Sequence, residues 1–264
     1  MKERIPDNSI DMILADLPYG TTSCKWDSII PLEPLWEQYK RVIKENGAIV
    51  LTASQPFTTK LIQSNMGWFR EEIIWLKNKS GSGFHADSRH IKVHENICVF
   101  AKNGSYTYNP QKWEVENEDF LTKRKTLSQY GVSNNIYGNY KSTRKKDDGT
   151  RYPISIIAYQ VPHNPSYSKR YSKTADIRKH PTQKPIRLFD YIIKTYTNEN
   201  EIVLDNVIGS GTTAVACLKT NREFIGFEKK EEYYNIALKR IGKFDKGYYN
   251  QLPQEEKPKQ KQLF

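Results

Sequence analysis

Twice along this chain a short apolar run closes on an aspartate and then meets residues through which neither a strand nor a helix continues. Ile10 to Ala15 runs into Asp16-Leu17-Pro18-Tyr19-Gly20, and Ile202-Val203-Leu204 runs into Asp205-Asn206-Val207-Ile208-Gly209-Ser210-Gly211. Runs this short have the length of buried strands, and Pro and Gly set the loops that follow them. A chain with two such strand-to-loop junctions is restricted to folds in which loops at strand ends are held by a rigid sheet.

The apolar periodicity between and after these junctions supplies the rest of that sheet. A helix is predicted over Leu32 to Ile43, where Leu32, Leu35, Trp36, Tyr39, Val42 and Ile43 share a face and Asn46-Gly47 closes it. Strand Ala48 to Thr52, a helix over Pro56 to Ser64, and strands Glu72 to Leu76 and Asn96 to Ala101 follow. Regular alternation resumes with a helix from Pro185 through Tyr196, strand Ile202 to Asp205, a helix from Thr212 to Lys219, strand Phe224 to Phe227 and a helix from Glu231 to Ile241. Alternating strands and helices predict an α/β fold on a parallel sheet.

The stretch from Asn103 to Lys179 is of another kind. It holds fourteen Lys or Arg against seven Asp or Glu, with nine tyrosines and few long apolar periods, so it reads as an insertion that interrupts the sheet domain. The whole chain carries a formal charge of +11 and a pI near 9.3, which favours a polyanionic partner, nucleic acid first. Cys24, Cys98 and Cys217 are odd in number and form no C-x-x-C pair, the pattern of reduced cytosolic thiols. No stretch has the length of a membrane span and the N-terminus does not read as a signal peptide, so the expected location is the cytoplasm. Pro253 to Phe264 is Gln, Lys, Glu and Pro, the composition of a disordered tail. His85, His90 and His94, beside the flexible Ser80-Gly81-Ser82-Gly83-Phe84, have no acidic or cysteine partner at metal-ligand spacing, and no metal is expected.

The two junctions carry the chemistry. Behind Asp205, Gly209 and Gly211 bring the chain to Thr212 and Thr213 at a helix start, where backbone N–H groups suit an anionic ligand group. A side chain at Gly211 is expected to fill that space. Seventeen residues beyond Gly211, Glu228 ends the next strand, where a carboxylate can accept both ribose hydroxyls of a nucleoside. Alone, these glycines equally suit a plain tight turn, and the loop fits S-adenosylmethionine and a dinucleotide alike. At Asp16 the carboxylate and the Leu17 carbonyl form two acceptors held rigid by Pro18. They suit the two hydrogens of an exocyclic amino group, whose nitrogen lone pair is otherwise delocalised into a base. Tyr19 would stack on such a base after extrusion from the duplex. An ordinary loop, with Asp16 as a helix cap and Tyr19 packed, is the competing reading.

Taken together, the segments resemble the amino-methyltransferases of bacterial and phage DNA, in the permuted class whose catalytic loop precedes the cofactor loop. Asp16-Leu17-Pro18-Tyr19 is similar to that family's D-P-P-Y, Asp205 to Thr213 to its D-P-F-x-G-S-G-T-T, and His180-Pro181-Thr182-Gln183-Lys184-Pro185 to its H-P-T-Q-K-P. The resemblance implies a Rossmann-like sheet, S-adenosylmethionine as cofactor, and methyl transfer to adenine N6 or, alternatively, cytosine N4 of double-stranded DNA. Asp16, where cytosine-specific relatives commonly carry Ser, tilts the reading to adenine. It assigns catalysis to Asp16, Leu17, Pro18 and Tyr19, and cofactor contacts to His180, Thr182, Gln183, Asp205, Gly209, Gly211, Thr212, Thr213 and Glu228. Leu17 stands where the family has its first proline, and Asn206-Val207 where it has a proline and an aromatic residue that packs on the cofactor's adenine. A catalytically impaired DNA-binding protein on the same fold is the reading those departures leave open.

The resemblance also divides the chain. Residues 1–102 form a catalytic half, 103–179 a target-recognition insertion with Lys123, Arg124, Lys125, Arg144, Lys145 and Lys146 available to phosphates, 180–245 a cofactor half, and 246–264 a tail. In that tail Gln260-Lys261-Gln262-Leu263-Phe264 resembles peptides that bind bacterial sliding clamps. Relatives begin with a further strand ending in Gly-Asp and a helix, into which Met1 falls. Strand Phe224 to Phe227 is therefore expected to be an uncovered sheet edge open to self-association, with cofactor binding weakened until upstream residues are restored.

Overall fold

The computed structural model describes residue 1 and residues 3–22, 27–78, 86–114, 150–162 and 182–244. In chain order the strands are β1 (Ile10–Ala15), β2 (Ile43–Ala53), β3 (Phe69–Leu76), β4 (His94–Phe100), β5 (Trp113–Glu114), β6 (Thr150–Arg151), β7 (Ile156–Ala158), β8 (Ile202–Asp205) and β9 (Glu223–Gly226). The helices are α1 (Leu32–Val42), α2 (Phe57–Ser64), α3 (Ile186–Tyr196), α4 (Thr212–Lys219) and α5 (Glu231–Phe244). Two compact units result, one of Met1–Asn109 with Ser155–Phe264, the other Pro110–Ile154. The smaller unit pairs β5 with β6 antiparallel, and Trp113 Nε1 donates to the Tyr152 carbonyl at 3.1 Å.

All six residues of β1 are buried, as a strand covered on both faces requires. It lies inside a seven-stranded sheet of order β7-β3-β4-β2-β1-β8-β9. β1 is parallel to β2 and β8, and β8 to β9. The expected parallel sheet is nevertheless mixed, because β4 runs antiparallel to both β2 and β3. A parallel pair needs a crossover helix, and none lies between Leu76 and His94 among the described residues. β7, drawn from the basic stretch, adds a strand parallel to β3.

Alternating residues of β1 serve two cores. Ile13 and Ala15 pack with Leu35, Trp36, Tyr39, Phe57 and Leu61 of α1 and α2. Met12 and Leu14 pack with Leu188, Ile192 and Ile193 of α3, Ala214 and Ala216 of α4, and Ala237 and Ile241 of α5. Cys98 and Cys217 are buried and unbridged. No helix among the described residues is long and apolar enough to cross a membrane. β9 ends the sheet and, among the described residues, pairs with β8 alone.

One boundary departs from expectation. α1 stops at Val42, and Ile43 pairs at once with Ile10, while regular pairing resumes only at Met12 with Ala48. Asn46-Gly47 therefore sits within an irregularity of β2 rather than closing a helix. A Cβ on Gly47 would stand 2.8 Å from the Asp11 carbonyl oxygen and 2.7 Å from Ile43 Cδ1, so a side chain is excluded by backbone as well as by its neighbour. Gly47→Ala is expected to destabilise the chain by about 1–3 kcal/mol, read as a lowered midpoint in chemical denaturation.

Candidate active site

The C-terminal ends of β1 and β2 and the N-terminal part of the reversed β4 lie at one edge of the sheet, since Thr52 pairs with Ile97 and Ala53 with Asn96. Asp16 follows β1 there, Thr52 lies near the end of β2, and Glu95 is the second residue of β4. Lys184, in the Pro-bounded turn that enters α3, joins them. Its ammonium lies 2.7 Å and 2.8 Å from the two Asp16 oxygens and 3.2 Å from Glu95 Oε2. Lys77 Nζ donates to Glu95 Oε1 at 2.9 Å. Asp16 Oδ1 also accepts from the Thr52 hydroxyl at 2.5 Å and the Tyr19 hydroxyl at 2.8 Å.

Burial opposes the Lys184 charge, but Asp16 and Glu95 outweigh it and raise its pKa. Burial likewise opposes charge on Glu95, yet Lys184 and Lys77 bring its carboxyl down to about 2. Tyr19 is pushed well above its ordinary value by burial and by the Asp16 and Glu95 charges, so its hydroxyl remains a donor. The Tyr19 ring stacks on Phe57 with centroids 5.5 Å apart, and the Lys184 ammonium lies 5.4 Å from its centroid. Leu17 is buried in the core with α1 and α2.

The second junction is built beside the first, because β8 is the direct neighbour of β1. Asp205 is buried; its Oδ1 accepts the Val207 N–H at 3.0 Å and its Oδ2 the Thr213 hydroxyl at 2.5 Å. Burial pushes the Asp205 carboxyl up to about 7, against those two hydrogen bonds. Gly209 has φ +54 and its N–H donates to Glu228 Oε2 at 3.0 Å, while Glu228 Oε1 accepts the Lys230 N–H at 2.7 Å. Glu228 thus braces the loop in addition to facing it.

The two glycines do different work. Among the described residues a Cβ on Gly209 would meet nothing nearer than the Val207 carbonyl at 3.8 Å, which leaves space beside the loop. A Cβ on Gly211, at φ +83, would come within 2.9 Å of Ala237 Cβ on α5. The expectation that a side chain at Gly211 fills ligand space is therefore corrected: it would push α5 from α4. Arg240 of the same helix donates to the Ser210 carbonyl at 2.8 Å and to the Thr212 hydroxyl at 3.2 Å, tying α5 to the loop. Asn206 Oδ1 accepts the buried Tyr39 hydroxyl at 2.5 Å, and Val207 packs against the α1–α2 core.

Of the residues expected from sequence, Asp16, Leu17, Pro18 and Tyr19 form one loop, and Asp205, Gly209, Gly211, Thr212, Thr213 and Glu228 surround the other. Gln183 is buried and Thr182 exposed at the turn before α3. His180, Lys123, Arg124, Lys125, Arg144, Lys145, Lys146, His85 and the Gln260–Phe264 tail lie outside the described residues. Sequence reasoning missed Lys184, Thr52, Glu95 and Lys77. The available signal was a lysine inside a conspicuous Pro-bounded motif and a glutamate at the start of an apolar strand.

A family model described as DNA methylase, for N6- and N4-directed enzymes, matches residues 10–239. The chain belongs to this family. It is 30% identical over 252 residues to the Type II methyltransferase M.BglII of Bacillus subtilis, covering 88% of this chain and 64% of that protein. It is 28% identical over 254 residues to the DNA adenine methyltransferase YhdJ of Escherichia coli K12, covering 90% and 78%. In fold it is similar to M1.HpyAVI, solved with SAM (TM-score 0.55, 23% identity, 88% and 89% covered), and to the cytosine-N4-specific PvuII methyltransferase (TM-score 0.59, 15% identity, 90% and 82% covered).

Two outcomes follow from the loop geometry. Gly211→Ala is expected to destabilise the chain by about 1–3 kcal/mol through its left-handed backbone and the α5 contact; an unchanged melting temperature would contradict this packing. Because burial pushes the folded Asp205 carboxyl up from 3.8 to about 7, its contribution to stability is full below the lower value and has been lost once pH has risen through the higher one. Relative to Asp205→Asn, the unsubstituted chain without ligand should lose stability as pH rises from 3.8 to about 7 and level off above that, measured by denaturant titration at each pH.

Proposed function

We propose that this chain transfers the methyl group of S-adenosylmethionine to the exocyclic amino group of a base in double-stranded DNA, adenine N6 in preference to cytosine N4. The observation that carries the reading is the adjacency of β1 and β8, which brings the Asp16 acceptor loop and the glycine loop out side by side at one end of the sheet. Ligands of open α/β sheets bind beyond the carboxyl ends of strands. The space beside Gly209, which a Cβ would enter without meeting a side chain of the described residues, fits a bound cofactor, with Glu228 facing its ribose. The cofactor supplies a methyl group made electrophilic by a sulfonium.

The chain's own residues orient the amino group. Asp16 and the Leu17 carbonyl accept its two hydrogens, draw the nitrogen out of conjugation and aim its lone pair. The proton displaced by the methyl group leaves through the Asp16 carboxylate to water. Lys123, Arg124, Lys125, Arg144, Lys145 and Lys146 are assigned to phosphate contacts. Asp16 and the adenine specificity in the name of YhdJ support adenine. A catalytically impaired binding protein is not favoured, because the chain belongs to the DNA methylase family and carries Asp16, Tyr19 and the glycine loop in its sequence.

Asp16→Ala is expected to slow methyl transfer by at least about 100-fold while cofactor affinity, measured by calorimetry, stays close to that of the unsubstituted chain. Mass spectrometry of nucleosides from treated DNA should show N6-methyldeoxyadenosine. N4-methyldeoxycytidine alone would move the substrate to cytosine, and equal losses of transfer and cofactor binding in Asp16→Ala would remove Asp16 from the base side of the site.

A further inference from the structure

Asp16 does not wait for a substrate with both oxygens free. Its Oδ1 receives Thr52 at 2.5 Å and Lys184 at 2.7 Å, while the single Tyr19 hydroxyl proton lies within reach of both that oxygen, at 2.8 Å, and the Thr52 hydroxyl, at 2.9 Å. Its Oδ2 receives only Lys184, at 2.8 Å, among the described residues. Each carboxylate oxygen offers about two lone-pair directions, so Oδ1 is saturated and Oδ2 has room for one further donor. The Lys184 side chain is 7% exposed, and its second partner, Glu95, is itself fastened by Lys77. The ammonium is therefore held from behind by Glu95 whatever Asp16 binds.

We propose that Lys184 is a positioning residue for the transfer step: anchored on Glu95, it fixes the Asp16 carboxylate so that Oδ2 is the one oxygen left to accept the target's amino hydrogen. This rests on the amino-methyltransferase reading above. In the step itself a nitrogen–carbon bond forms as the carbon–sulfur bond breaks, sulfur keeps that electron pair, and positive charge passes to the nitrogen. A carboxylate held beside the nitrogen stabilises that charge, then takes the surplus proton and passes it to water. Lys184 is not the acceptor, because Asp16 and Glu95 hold its own proton in place. A carboxylate free to rotate would present either oxygen and lose this preorganisation.

Single-turnover transfer from labelled S-adenosylmethionine to unmethylated genomic DNA tests the assignment, with calorimetric cofactor affinity and melting temperature measured on the same full-length preparations. Lys184→Met is expected to slow transfer by about 100-fold with cofactor affinity unchanged, and Lys184→Arg to recover most of the loss. Glu95→Gln, which loosens the anchor, should slow transfer less than Lys184→Met. An unchanged rate in Lys184→Met, or a rate loss matched by lost cofactor affinity and not relieved by arginine, overturns the proposal. Should Lys184→Met fail to fold, Glu95→Gln decides, with slowed transfer at unchanged cofactor affinity in support and an unchanged rate against. Absence of transfer by the unsubstituted chain overturns the underlying function as well, and is visible before any variant is compared.

Discussion

An ammonium group withdrawn from water costs several kcal/mol unless opposite charge is waiting for it, and Lys184 is buried between two carboxylates. Asp16 comes from the end of β1 and Glu95 from β4, with Lys77 as the second cation. Two positive and two negative charges balance within one cluster. That balance pins the turn before α3 to the strand ends, while Leu188, Ile192 and Ile193 bury the helix against the same strands. The cluster cannot be dismantled one member at a time without stranding a buried charge, so the geometry around Asp16 is held by electrostatics as well as by packing.

The sheet serves this arrangement by letting the apolar strands end where the polar residues begin. β1 is buried along its full length and then delivers Asp16 at once. Its neighbour β8 delivers Asp205, whose hydrogen bonds to Val207 and Thr213 shape the next loop. The glycines of that loop divide the labour, Gly209 leaving space open and Gly211 admitting Ala237 of α5. Arg240 on α5 closes the loop from the other side. A rigid scaffold and two tailored loops are what an α/β site requires.

Strands β1 and β8 and helices α3, α4 and α5 were legible because each is a strong apolar period bounded by Pro, Gly or Asp. The α1–β2 junction was not, because Asn46-Gly47 is a turn signal whose meaning depends on Asp11 and Ile43 lying against Gly47. The reversal of β4 was likewise hidden, since direction follows from the connection and not from composition. In the site, Asp16 and the glycine loop announce themselves by local spacing. Lys184, Thr52 and Glu95 lie far apart in sequence and acquire their roles only from sheet order and register, which a single sequence does not display. Gly211 was read as keeping ligand space open, while the atoms a Cβ there would meet belong to Ala237 on α5, the helix that follows β9.

The most direct test of the account is a crystal structure of the chain with the demethylated cofactor product and a DNA duplex carrying its target site. The account predicts an extruded adenine whose amino nitrogen lies within hydrogen-bond reach of Asp16 Oδ2 and the Leu17 carbonyl, with Lys184 still bridging Asp16 and Glu95. An amino nitrogen bound away from Asp16, or contacted through Oδ1 with Lys184 displaced from the cluster, would contradict it.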